Sequence, residues 1–161
     1  MPLEIKDKTG VPYVGLGFHF AEFEVGRKFR TVSRTVTEAD LVSFVNATGF
    51  SEVLFTDTEF LKDQSDIRGR VVPGALVFSM VEGLLMQACM QHTGFAFLET
   101  TMKVTLPTFV GDTLHVRCEV IEATESKSRP DRGLVRTRNL VINQRDEMVM
   151  EYAPLRFVKR L

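Results

Sequence analysis

Tryptophan is missing from this chain of 161 residues, and cysteine and histidine are scarce. Two cysteines, Cys89 and Cys118, cannot build a disulfide framework. His19, His92 and His115 are the only histidines and show no ligand spacing, so no metal site is expected. So few thiols fit a reducing compartment, and a cytoplasmic location is expected. Net charge is also nearly absent, with 20 Lys and Arg against 21 Asp and Glu. A nucleic-acid-binding domain would carry a clear basic excess, so no such partner is expected. No repeat, low-complexity tract or linker interrupts the chain, and its length fits one domain over residues 1–161. The first residues, Met-Pro-Leu-Glu-Ile-Lys, lack the basic-then-apolar order of a secretory leader.

Long apolar runs are rare as well. Residues 71–90, VVPGALVFSMVEGLLMQACM, are the one stretch that raises the membrane question. Glu82 stands in its middle, and a carboxylate at the bilayer centre costs about 2.5 kcal/mol or more on insertion scales. Pro73, Gly74, Ser79, Gly83 and Gln87 dilute it further. The run reads as a helix buried on nearly all sides within a folded domain, with no membrane partner.

Local signals order the rest. Residues 1–26 carry Pro2, Gly10, Pro12, Gly15, Gly17 and Gly26 and read as an irregular arm, tied down by Phe18, Phe20 and Phe23. Residues 27–36 read as a first strand. Thr37 with Asp40 three residues on marks a helix start; Leu41, Phe44 and Val45 give its apolar face, and Gly49 ends it. Residues 50–70 show no clean period, and long ordered loops often carry function. Pro73 opens the apolar helix, which is expected to run to about His92 and to stop at Gly94. Strands are then expected over 95–106, around Leu114, Val116, Cys118 and Val120, over 134–144 and over 147–158, with Gly111-Asp112 and 124–133 as turns. A central helix and a run of antiparallel strands to wrap it make an α+β fold.

Four landmarks, TVTEADLVSFVNATG, GRVVPGALVFSM, LPTFVGDTLHVRCEV and NQRDE, occur in this order over roughly residues 18–158. In order and spacing they resemble the MaoC-like dehydratase family. The resemblance implies a hotdog fold, a curved antiparallel sheet around a long central helix. It implies a homodimer or higher homo-oligomer, and acyl-thioester substrates, usually on coenzyme A, that are hydrated or dehydrated. Coenzyme A would enter as part of the substrate, with no separate cofactor.

The family's acid–base pair lies in a segment reading Gly-Asp-x-Asn-Pro-apolar-His-x-Asp. Here residues 49–57 read Gly-Phe-Ser-Glu-Val-Leu-Phe-Thr-Asp. Gly49 and Asp57 match the ends without a gap, which puts Phe50 at the Asp position and Phe55 at the His position. Phenylalanine moves no proton, and such a pair typically contributes 10²–10⁴-fold. The resemblance also places a substrate pocket at Phe50, Phe55, Val72 and Pro73. It makes the Gly74 N–H, at a helix start, the donor to the thioester oxygen, a role that unpaired helix N-terminal groups suit.

Two carboxylates are candidates for the lost chemistry. Glu52 shares the loop with the two phenylalanines, and a pocket beside them would desolvate it; otherwise it is a solvated loop residue. Glu82 interrupts the apolar helix and needs a partner there, either as a thioesterase-type carboxylate or as one half of a pair with an arginine. Lys127, Arg129 and Arg132 share one turn and either meet coenzyme A phosphates or are simply solvated. Three functions remain open: a hydratase or dehydratase with a displaced acid–base group, a non-catalytic thioester-binding subunit completed by a catalytic paralogue, and a thioesterase.

Overall fold

The computed structural model describes residues 4–161. Residues 1–3 of the expected arm therefore lie outside the described residues. From Glu4 the arm makes a small loop closed by a bridge between Lys6 and Pro12. It then runs against the end of the central helix, where Gly17 N–H donates to the Gln91 carbonyl and Phe18 N–H to the Cys89 carbonyl.

The expected strand over 27–36 is two short pieces, β1 (Lys28–Arg30) and β2 (Arg34–Thr35). Between them Thr31 turns inward, and its hydroxyl accepts from Val116 N–H at 3.0 Å, so a side chain takes over the ladder bond. α1 follows at Glu38–Thr48, with the expected cap: Thr37 Oγ1 accepts from Asp40 N–H, and Asp40 Oδ2 accepts from Thr37 N–H at 2.8 Å. Gly49 closes α1 at φ 73°, in the left-handed region that favours glycine. Residues 50–70 contain two single turns, α2 (Val53–Thr56) and α3 (Phe60–Asp63), each started by a carboxylate. Glu52 Oε2 accepts from Leu54 N–H, and Asp57 Oδ1 accepts from the N–H groups of Glu59 and Phe60.

The central helix α4 spans Gly74–Leu85, with Pro73 just outside it, and runs straight into a π-turn at Met86–Met90. It buries Leu76, Val77, Met80, Val81, Leu84 and Leu85. Burial on nearly all sides is corrected, however. Ala75, Ser79, Gly83 and Gln87 form a stripe left open in the isolated chain, because the sheet does not reach over it.

The expected strand over 95–106 divides into β3 (Gly94–Glu99) and β4 (Met102–Val104). β5 (Thr113–Glu125) is longer than expected and β6 (Arg132–Ile142) begins two residues earlier than expected, so their hairpin turn is tighter. The last expected strand is also two, β7 (Met148–Tyr152) and β8 (Leu155–Lys159). Pro154, which has no N–H to donate, falls in that gap. β6 lies at the centre, paired with β5 on one side and with β7 and β8 in succession on the other. β4 pairs with β7 and β3 with β8, so both breaks fall together and the antiparallel sheet bends there around α4. This is the α+β architecture expected. Phe23, Leu41, Val81, Leu114, Val141 and Tyr152 mark a core lying between helix and sheet. His115 of β5 is buried too, with Nε2 unpartnered among the described residues.

Candidate functional site

The chain entering α4 is held by its neighbour segment. Val71 bridges Phe109, and Val72 N–H donates to the Thr108 carbonyl at 2.9 Å. Val72 belongs to the core and Pro73 is buried beside it, so both shape the site by fixing the backbone. Leu76 and Val77 N–H groups go to the Pro73 carbonyl. Among the described residues nothing accepts from Gly74 N–H. It remains a free donor at the positive end of a helix dipole. A Cβ at Gly74 would lie 3.3 Å from Val104 Cγ2, so only a small residue keeps the approach to β4 open.

The loop after α1 is strapped to this helix start by Arg70. Its guanidinium grips both oxygens of Glu38, at 2.6–3.1 Å, and Nη1 donates to the Phe55 carbonyl at 2.7 Å. One side chain thus joins the first turn of α1, the loop and the lead-in to Gly74. The sequence reading missed Arg70. The available signal was a cation directly ahead of an apolar run.

Phe50 and Phe55 come together, with ring centroids 6.1 Å apart, and Phe44 adds a third ring 5.6 Å from Phe50. Phe55 packs on the core, whereas Phe50 remains 42% exposed. The four cavities described are lined by other residues than Phe50, Phe55 and Gly74.

Glu52 is exposed and not enclosed beside the phenylalanines; one of its oxygens caps α2 and Oε1 has no donor among the described residues. Glu82 takes the paired alternative. Its Oε1 accepts from Tyr152 Oη at 2.8 Å and from Arg156 Nη2 at 2.6 Å. Arg156 is 95% buried, going by its 5% exposure. Burial, then the Glu82 charge, pushes the Tyr152 phenol far up, so it stays a donor.

The turn cations part company. Lys127 and Arg129 are exposed, while Arg132 pairs with Asp131 and lies over the Phe95 ring at 3.9 Å. His19 is buried, and His92 stacks on Tyr13. No group of three metal-ligating side chains occurs among the described residues. No helix there is long and apolar enough to cross a membrane.

Comparison with known proteins fits this arrangement. The family described as "FAS1-like, dehydratase domain region" matches residues 24–152, most of the chain. The chain belongs to this family. In structure it is similar to the MaoC-like dehydratase from Rhodospirillum rubrum, with 27% identity and a TM-score of 0.80, covering 90% of this chain and 99% of that one. It also resembles Rv0216 of Mycobacterium tuberculosis, described as having a double hotdog fold, at 21% identity and a TM-score of 0.82, covering 92% and 46% of the two chains. The HadBC 3R-hydroxyacyl-ACP dehydratase complex of the same organism matches at 21% identity and a TM-score of 0.66, covering 83% and 96%. Among curated proteins, none matches this sequence. The fold is thus the hotdog of the MaoC-like dehydratases.

Proposed function

We propose that this MaoC-like chain binds an acyl thioester, most simply of coenzyme A, in a hydratase/dehydratase-type site. The observation that carries the reading is the unpaired Gly74 N–H at the start of the central helix. The thioester oxygen would accept from it, and charge gathering on that oxygen, as water adds to a 2-enoyl thioester or leaves a 3-hydroxyacyl one, would meet the helix N-terminus.

The proton work falls to Glu52. Phe50 and Phe55 have no exchangeable proton. Glu82, and with it the thioesterase reading, is disfavoured because its carboxylate is tied to the buried Arg156 and Tyr152, about 12 Å along the helix from Gly74. Glu52 stands between the two phenylalanines in sequence and, among the described residues, keeps one oxygen free of donors. The test is turnover of crotonyl-coenzyme A with parallel detection of free thiol. Hydration that falls in Glu52→Gln supports the assignment. Thiol release points instead to a thioesterase.

The second reading is a thioester-binding subunit that relies on a catalytic paralogue, favoured by the loss of both acid–base side chains to phenylalanine. Tight binding of a thioester with no turnover by the purified chain would establish it.

The assembly proposed is a homodimer. β3 and β4 form a sheet edge that pairs on one side only, and they expose Phe95, Phe97, Leu98, Met102 and Val104. Such an edge calls for cover. The expected location is the cytoplasm.

A further inference from the structure

The geometry points to a second recognition element in the same site: the Glu82–Arg156 pair reads the far end of the acyl chain and selects a neutral tail that carries a hydroxyl or amide. This rests on the thioester reading above.

The central helix and the edge strands run past each other in opposite directions. Gly74 lies against Val104 of β4, Phe78 stacks edge-on to Phe97 of β3, and Gly94 meets Met90. A seam therefore leads from Gly74 along the helix. Glu82 is about 12 Å farther along, at about 1.5 Å rise per residue. There a cavity of about 490 Å³ opens between α4, β3 and β8, within the size range of ligand pockets. Its walls include Met86, Met90, Phe95 and Phe97, and its polar lining includes Glu82 and Arg156.

That pair is only half used. Arg156 donates to Glu82 through Nη2 alone, and Glu82 accepts through Oε1 alone. Glu82 Oε2 and the other Arg156 nitrogens have no protein partner among the described residues. They are also absent from the sealed, unpartnered atoms, which are His115 Nε2 and the Asn139 amide. They are thus open to the cavity they line. A plain alkyl tail would strip water from these groups and return nothing. A charged tail would leave an uncompensated charge beside a neutral pair. A hydroxyl or amide both donates to Glu82 and accepts from Arg156, while the walls take the methylenes.

The test is binding of three saturated coenzyme A thioesters to the full chain, followed by calorimetry: butyryl, decanoyl and ω-hydroxydecanoyl. The expected result is ω-hydroxydecanoyl binding at least tenfold tighter than decanoyl, and loss of that preference in E82M/R156M with decanoyl binding kept. Replacing both partners by apolar residues avoids stranding one charge. If a melt shows the double variant unfolded, the wild-type preference alone decides. Equal or reversed affinity of the two long thioesters, with butyryl still bound, overturns the tail assignment and leaves the thioester reading standing. Failure of all three to bind overturns both.

Discussion

Arg70 Nη1 donates to the Phe55 carbonyl at 2.7 Å, so the loop that carries the Phe50 and Phe55 rings is fastened to the residues that start the central helix. The same guanidinium holds Glu38, whose side chain is half exposed, so that ion pair itself adds little. Arg70→Met is expected to cost about 1–3 kcal/mol, mostly from the stranded carbonyl. A chemical-denaturation series with unchanged slope would measure it. Thioester affinity should fall along with stability.

Gly74 invites a substitution that removes a hydrogen and little else. Proline at a first helical position keeps the helix, because its missing N–H has no intrahelical use. Gly74→Pro, made together with Val104→Ala to clear the nearby methyl, should leave the melting temperature within a few degrees. Thioester binding should drop about tenfold and any turnover about 10²–10³-fold, the usual effect of losing one oxyanion donor. Unchanged binding would place the thioester elsewhere.

The loop can be tested by restoring what it lacks. Phe50→Asp with Phe55→His should raise enoyl-thioester hydration by about 10²-fold or more. Each single change should gain far less, since such groups act as a unit. Glu52→Gln should abolish whatever turnover the parent has and leave the double variant's gain intact. A melt must accompany each assay, because Phe55 packs on the core.

These tests rest on features the sequence displayed unequally. The Thr37–Asp40 cap and Gly49 terminus of α1 were legible because their signals are local and each is satisfied within a few residues. The start of α4 at Pro73-Gly74 was legible for the same reason. The breaks in three expected strands were not, because period-2 patterning continues through a bend. Only the pairing of β4 with β7 and of β3 with β8 shows where the sheet turns. Arg70 and the Glu82–Arg156 contact join residues 15 and 74 apart in sequence, a distance at which spacing carries no information.

Two buried histidines set a pH dependence. Burial first, then Arg30 and Arg117, lowers the His115 pKa below its usual 6.5, and burial lowers that of His19. The unfolded chain therefore binds protons that the folded one refuses. The stability involved is present above about pH 6.5 and is lost as pH falls toward the folded values. The melting temperature should drop between pH 7 and 5. His115→Phe, which also removes an unpartnered Nε2, should flatten part of that drop.

Gly17 is fixed by contact. A Cβ there would overlap the Cys89 carbonyl, beside the bonds that hold the arm to the end of the central helix. Gly17→Ala should cost about 1–3 kcal/mol through backbone displacement. Amide exchange should rise first in residues 5–18.

The pairing of Lys28 with Glu119 also sets a schedule. During synthesis β1 leaves the ribosome with its partner strand still about 90 residues behind, a wait of roughly 5–18 s at about 5–20 residues per second. The β5–β6 hairpin is local and can form as soon as it emerges, whereas β1 and β2 must wait for β5 across the whole intervening chain. In the interval Lys28 and Arg30 flank a single phenylalanine, and that charge discourages the waiting strand from pairing with a neighbouring chain. The first strand to be made thus has no place in the sheet until the fifth has left the ribosome.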